Sequence, residues 1–318
     1  MKILANDGMA VIGQEVLKEA GFEILENTVA QEQLIDFINT NEVTCLLVRS
    51  ATTVRKDLID SCPSLKLIGR GGVGMDNIDV DYARSKGLHV INTPAASSAS
   101  VAELVFAHLF SSVRFLHDSN RNMPLEGDSN FKGLKKAYAA GRELRGRKLG
   151  IIGFGRIGQA VAKIAISLGM EVLPYDPNSG TVELSLKFYT GEHIKFNVKP
   201  VSLEEVLKQS DFITVHVPMP KDGKALLGKD EFAKMKDGVG LVNAARGGVI
   251  DEEALLEVLE SGKVSFAGLD VFQNEPKPNL KVLMNRYVSL TPHIGAATEE
   301  AQDRIGTELA SQIIELLK

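Results

Sequence analysis

The stretch Lys148-Leu149-Gly150-Ile151-Ile152-Gly153-Phe154-Gly155-Arg156-Ile157-Gly158 decides how this chain folds. An apolar run leads straight into G-x-G-x-x-G, and a helical pattern over residues 157–168 follows. The next apolar run ends at Asp176, 18 residues beyond Gly158. Each part meets a physical need of a dinucleotide site. Glycines allow a tight turn and close approach to a pyrophosphate, a helix amino end favours the anion, and a carboxylate holds ribose hydroxyls. An acidic Asp176 repels a 2′-phosphate, so the cofactor expected is NAD rather than NADP. The competing reading is a tight turn in an α/β domain that binds nothing.

The same rhythm extends in both directions. Short apolar runs recur at 171–175, 211–215, 239–243 and 264–269, and before the motif at 2–6, 22–26, 43–48, 67–69 and 88–92. Helical patterns such as 31–39 and 79–86 lie between them, which predicts α/β architecture with parallel strands and crossover helices. Ala102, Val105, Phe106, Leu109, Val113 and Leu116 predict one long helix from about Ser98 to His117. A polar, basic stretch follows over 120–148, and a helix over 298–317 closes the chain. One segment breaks the pattern. Val182, Leu184, Leu186 and Phe188 alternate with polar neighbours, as do Ile194, Phe196 and Val198 beyond Thr190-Gly191, which predicts a β-hairpin inserted at 180–199.

Composition narrows the class. The chain has 318 residues, 44% of them hydrophobic and 24% charged, a size that suits two domains. A net charge of −5 with no basic stripe argues against nucleic-acid binding. The run Met1-Lys2-Ile3-Leu4-Ala5 reads as a strand rather than a targeting segment, and no apolar stretch reaches membrane-spanning length. A cytoplasmic protein is expected. Cys45 lies inside an apolar run, so a buried thiol is expected rather than a disulfide with Cys62. No cluster has zinc-ligand spacing, so no metal is expected.

A second G-x-G-x-x-G, Gly69-Arg70-Gly71-Gly72-Val73-Gly74, lacks the acidic partner, because the next run ends in Asn92. With Arg70 beside exposed backbone amides, this loop suits a small anionic substrate. Three later blocks each end or follow an apolar run: Asn243-Ala244-Ala245-Arg246-Gly247-Gly248, Asp270-Val271-Phe272-Gln273-Asn274-Glu275-Pro276 and Thr291-Pro292-His293-Ile294-Gly295-Ala296. Together they offer a cation, a carboxylate and an imidazole.

Taken together, these motifs resemble the D-isomer-specific 2-hydroxyacid dehydrogenases over essentially the whole chain. Leu47-Val48-Arg49-Ser50, the extension of the first glycine motif through Met75-Asp76-Asn77-Ile78-Asp79, and Asp211-Phe212-Ile213-Thr214-Val215-His216 add to the match. Within the family the chain is most similar to members acting on 3-phospho-D-glycerate. The resemblance implies two doubly wound, Rossmann-like or flavodoxin-like domains with parallel sheets. A discontinuous substrate domain is expected at 1–97 plus 293–318 and an NAD domain at 98–292. It implies a catalytic set of Arg246, Glu275 and His293. The implied cofactor contacts are Gly153, Gly155, Arg156, Ile157, Gly158, Asp176, Val217, Pro218, Ala244, Ala245, Asp270, Gly295 and Ala296. The implied substrate contacts are Arg49, Arg70, Gly72, Val73 and Gly74. A homodimer or homotetramer is implied too. Two departures stand out: Asn92-Thr93-Pro94-Ala95-Ala96-Ser97-Ser98 lacks the Gly-Asn usual before the long helix, and the hairpin is longer than the usual connection. The large C-terminal regulatory domains of the long members are not matched.

Oxidising a 2-hydroxy acid needs a base for the hydroxyl proton while hydride leaves C2. An imidazole titrates near neutrality, a neighbouring carboxylate fixes its ring, and a guanidinium can hold the substrate carboxylate. His293, Glu275 and Arg246 take these roles, and His89, His108, His117, His193 and His216 are read as structural. Arg49 and Arg70 supply the extra cations a phosphate needs. The reaction expected is NAD-dependent oxidation of 3-phospho-D-glycerate to 3-phosphohydroxypyruvate, the entry to serine synthesis. The alternatives are the same chemistry on hydroxypyruvate, glyoxylate or another unphosphorylated acid, and an NAD-sensing scaffold resembling corepressors of this fold.

Overall fold

The computed structural model describes residues 1–220 and 222–318. The chain divides into two compact units, Met1–Ser100 with Ala296–Lys318, and Val101–Gly295.

The smaller unit holds β1 (Lys2–Ala5), β2 (Glu23–Leu25), β3 (Val43–Val48), β4 (Leu67–Arg70) and β5 (His89–Asn92). They form one parallel sheet in the order β2-β1-β3-β4-β5. Its strands are apolar without alternation because both faces are covered. Leu4, Leu46, Val48 and Ile68 pack with Leu34, Ile38 and Leu58. Ile3, Cys45, Leu47 and Leu67 pack with Leu17, Ile305, Leu309 and Ile313. The second layer depends on the helix Glu299–Leu317 approaching the helix Val11–Glu19 closely. Gly13 makes that possible, since a Cβ there would lie 2.6 Å from the backbone carbon of Gly306. Cys45 and Cys62 are buried free thiols.

In the larger unit the strands are β6 (Lys148–Ile152), β7 (Glu171–Tyr175), β8 (Val182–Lys187), β9 (His193–Val198), β10 (Phe212–Val215), β11 (Val239–Asn243), β12 (Val264–Leu269) and β13 (Val288–Leu290). Six of them form a parallel sheet ordered β13-β12-β11-β10-β6-β7. The direction of winding reverses between β6 and β10, and ligands of such sheets bind outside the carboxyl ends of the strands at that point. The alternating segment forms the antiparallel hairpin β8–β9, with Leu184 opposite Phe196 and Glu183 paired to Lys195 at 2.8 Å. Its inner residues Leu184 and Val198 join the apolar cluster that includes Val161 and Ala165 of the helix Arg156–Ser167.

Two expectations need correction. The long helix stops at Val113 rather than His117, because Phe115 takes a left-handed φ of 56°. The polar stretch after it contains two helices, Leu116–Glu126 and Phe131–Ala137. The unit boundary also falls after Gly295 rather than before His293. Asp270 of the larger unit accepts hydrogen bonds from the backbone N–H groups of Ile294 and Gly295, both at 2.8 Å, which keeps His293 on that side.

Among the described residues no single helix is long and apolar enough to cross a membrane, and no group of three His, Cys, Asp or Glu could hold a metal.

Candidate active site

The dinucleotide loop leaves β6 at the switch point. Gly153 has φ +94°, and a Cβ on it would overlap the carbonyl oxygen of His216, so the loop presses on the chain leaving β10. A Cβ on Gly158 would overlap the Gly153 carbonyl oxygen, which is how the helix Arg156–Ser167 packs so close to the turn. Gly155 is different: nothing lies within 4 Å of where its Cβ would be. Two glycines therefore shape the turn, and the third leaves an open approach over exposed Arg156 and the helix amino end, as a pyrophosphate requires. Ile157 follows, half-buried. Asp176 closes the arrangement, its carboxylate accepting from Phe154 N–H and Asn178 N–H, each at 2.9 Å. These residues fit NAD: backbone amides for phosphate, a carboxylate for ribose. Val217 and Pro218 follow β10, and a Cβ on Gly153 would lie 2.8 Å from Val217 Cγ1. Burial pushes the pKa of His216 down to about 3, so its ring is neutral at physiological pH, with Nε2 3.0 Å from Thr214 Oγ1.

Arg246, Glu275 and His293 all lie in the larger unit. Asn243, at the end of β11, folds the next turn. Its Oδ1 accepts from Ala245 N–H at 3.0 Å and its Nδ2 donates to the Arg246 carbonyl at 2.9 Å. This turn carries the cofactor candidates Ala244 and Ala245, and the Arg246 guanidinium donates to the Ala245 carbonyl at 2.6 Å. Gly247 sets the turn directly against the loop after β12, for a Cβ there would overlap the Phe272 carbonyl. Glu275 stands in that loop, Oε1 accepting from Phe272 N–H at 2.8 Å. Its Oε2 is 2.8 Å from His293 Nδ1, the two side chains being 35% and 38% exposed. Partial burial alone would raise the Glu275 pKa. The hydrogen bonds from His293 and Phe272, with the charges of His293 and Arg246, outweigh it and hold the carboxyl below its usual range. With Nδ1 turned to Glu275, His293 has Nε2 left to exchange a proton with a ligand.

Sequence reasoning missed the carboxylate that organises the neighbouring loop. Glu252, buried at the start of the helix Glu252–Glu260, accepts from Gln273 N–H at 2.6 Å, and burial raises its pKa. No motif marks it, because its partner is a backbone amide 21 residues away.

In the smaller unit, Arg49 directly follows β3 and Arg70 ends the neighbouring strand β4, where Val48 is registered with Arg70. Gly72 has φ +147°, a conformation that side-chain-bearing residues rarely adopt, and the Arg70 guanidinium lies where its Cβ would stand. Val73 is exposed and Gly74 half-buried on the same loop. Asp7, which no motif marks, and Asn77, from the extended first glycine motif, tie the Arg49 loop down. Asp7 accepts from Arg49 N–H at 2.6 Å and from the Thr52 hydroxyl at 2.6 Å. Asn77 donates to the Arg49 carbonyl at 2.7 Å and the Thr52 carbonyl at 2.6 Å. Ala296 also belongs to this unit, its carbonyl accepting from Gln302 at 2.6 Å.

Residues 106–295 match the family described as D-isomer specific 2-hydroxyacid dehydrogenase, NAD binding domain. The chain belongs to this family, and it is an NAD-dependent oxidoreductase. It is 42% identical over 307 residues to a hydroxypyruvate reductase of Thermotoga maritima, covering 96% of this chain and 94% of that one. It is 41% identical over 319 residues to a D-3-phosphoglycerate dehydrogenase of Bacillus subtilis, covering all of this chain but 57% of the relative. The chain thus spans little more than half the length of the phosphoglycerate dehydrogenases it matches. Among solved structures, a glyoxylate reductase from Paecilomyes thermophila superposes with a TM-score of 0.82 at 30% identity, covering 99% of this chain and 95% of that one. An Aquifex aeolicus D-lactate dehydrogenase complexed with NAD and lactic acid gives 0.74 at 32% identity, covering 98% and 93%.

Proposed function

We propose that the protein oxidises 3-phospho-D-glycerate to 3-phosphohydroxypyruvate, with Arg246, Glu275 and His293 as the reacting set. The bound nicotinamide cofactor supplies the hydride acceptor. His293 Nε2 takes the C2 hydroxyl proton, and Glu275 on Nδ1 stabilises the imidazolium that results. Arg246 holds the substrate carboxylate by charge-assisted hydrogen bonds and polarises the C2 oxygen. In the reverse direction the imidazolium returns the proton. The observation that carries the choice of substrate is the pair Arg49 and Arg70 on adjacent strand ends, two cations beyond the one that reads the carboxylate.

A second reading, reduction of hydroxypyruvate or a similar unphosphorylated acid, is favoured by the nearly full-length match to the Thermotoga relative. Comparing kcat/KM for 3-phospho-D-glycerate and D-glycerate decides between them. On the first reading Arg49→Ala and Arg70→Ala each depress only the phosphorylated substrate. Equal effects on both substrates, or none, would favour the second.

We propose self-association as well, in line with the expected oligomer. Leu116, Leu125 and Phe131 are 61%, 77% and 58% exposed on the two helices after Val113, an apolar surface that a second copy would cover. Light scattering that gave a monomer mass at micromolar concentration would contradict this.

A further inference from the structure

We propose that His108 is a positioning residue for His293, acting through Thr291 and Asp270; this rests on the proton-transfer role given to His293 above. His108 is 2% exposed, on the helix Ser98–Val113, and it reaches β12 only because residue 268 is glycine. A Cβ on Gly268 would lie 2.6 Å from His108 Cβ. The imidazole is then set between two hydroxyls, Nδ1 2.9 Å from Ser289 Oγ and Nε2 3.0 Å from Thr291 Oγ1.

Proton counting fixes the direction of this chain. A threonine hydroxyl has one hydrogen to give. Thr291 gives it to Asp270 Oδ1, at 2.6 Å, so its oxygen can only accept from the ring. His108 therefore carries its hydrogen on Nε2, and Nδ1 accepts from Ser289. Burial, the largest influence, pushes the His108 pKa down, while the Asp270 charge opposes that and His117 adds to it. The ring is accordingly neutral, as a single donor nitrogen requires. Every donor from Ser289 onwards points the same way and the series ends on the Asp270 carboxylate. Hydrogen bonds aligned in this manner in a low-dielectric interior reinforce one another.

Asp270 also holds the turn that carries His293. Oδ1 also accepts from Ile294 N–H and Oδ2 from Gly295 N–H, both at 2.8 Å. His293 donates its own N–H to the Thr291 carbonyl at 3.1 Å and holds a left-handed φ of 55°, a conformation that costs free energy for a residue with a side chain. A strained turn held by one carboxylate is sensitive to the rotamer of that carboxylate. Without the ring donor, the Thr291 hydroxyl can rotate away, and the turn loses the group that aims the His293 imidazole at Glu275.

The test compares variants that differ only in the donor. His108→Met fills the space with no hydrogen to give, and His108→Gln offers an amide N–H near the Nε2 position. The assay is NADH formation with 3-phospho-D-glycerate, or NADH consumption with hydroxypyruvate. The expected result is a kcat reduced about ten- to hundredfold in His108→Met, the cost typical of a slightly misplaced reacting group, with KM for NAD little changed. His108→Gln should recover most of the loss. Thr291→Ser, which keeps the hydroxyl, against Thr291→Val, which removes it, should repeat the split and carries the test if His108→Met does not fold. A wild-type kcat in His108→Met or Thr291→Val would overturn the proposal, as would a His108→Gln no better than His108→Met. His293→Ala run alongside separates the two ideas. If it abolishes turnover while His108→Met has no effect, only the positioning role falls; if it leaves turnover intact, the proton-transfer reading falls and the positioning role with it.

Discussion

His293 Nδ1 lies 2.8 Å from Glu275 Oε2, although the two residues are 18 apart and sit in loops that leave different strands, β13 and β12. The contact decides which ring nitrogen is available for chemistry. It also joins the loops on either side of the proposed reacting centre.

The pairing predicts a pH dependence of stability. The Glu275 carboxyl is held below its ordinary value of 4.5 in the folded state. A group with a depressed folded pKa stabilises above its unfolded pKa and loses that contribution as pH falls through the folded value. Wild type should therefore exceed Glu275→Gln in urea-unfolding free energy at about pH 5. The difference should shrink progressively below that. A gap that widened on acidification would contradict the assignment.

The glycines of the dinucleotide turn divide by what surrounds them. Gly155→Ala meets open space and should leave the melting temperature near wild type while raising the KM for NAD, because the new methyl stands where the pyrophosphate approaches. Gly158→Ala instead collides with the Gly153 carbonyl and should cost about 1–3 kcal/mol of stability, the usual range for overpacking. Calorimetry and NAD titration on both variants check the contrast, which fails if the two behave alike.

Both cysteines should be inert in the native protein. Burial pushes the thiols up, Cys62 to about 11 and Cys45 further, so almost no thiolate exists at pH 8. A thiol-specific chromogenic reagent should titrate close to none in buffer and both in denaturant. Rapid native labelling would show that Cys45 or Cys62 is more accessible than its packing implies.

Much of the fold was legible because parallel strands covered on both faces read as continuous apolar runs, as in 43–48 and 239–243. Strand β13 showed only as the short run before Thr291, since Val288–Leu290 is three residues long and has Ser289 at its centre. The helix end at Val113 was hidden because Leu116 continues the apolar spacing in phase, although the structure leaves it 61% exposed. Arg246, Glu275 and His293 could be picked out as residue types beside glycine or proline. His108 could not, for its partners Ser289 and Thr291 are 181 and 183 residues away. Placing His293 in the smaller unit failed for a similar reason: the Asp270 bonds that retain it are tertiary.

The most direct measurement is the turnover of His293→Ala with NAD and substrate saturating, alongside its affinity for NADH. The account predicts that kcat falls roughly 10²–10⁴-fold, the usual cost of losing a proton-transfer group, while NADH binding stays within a factor of about two. A variant that retained more than about a tenth of the wild-type kcat would contradict it.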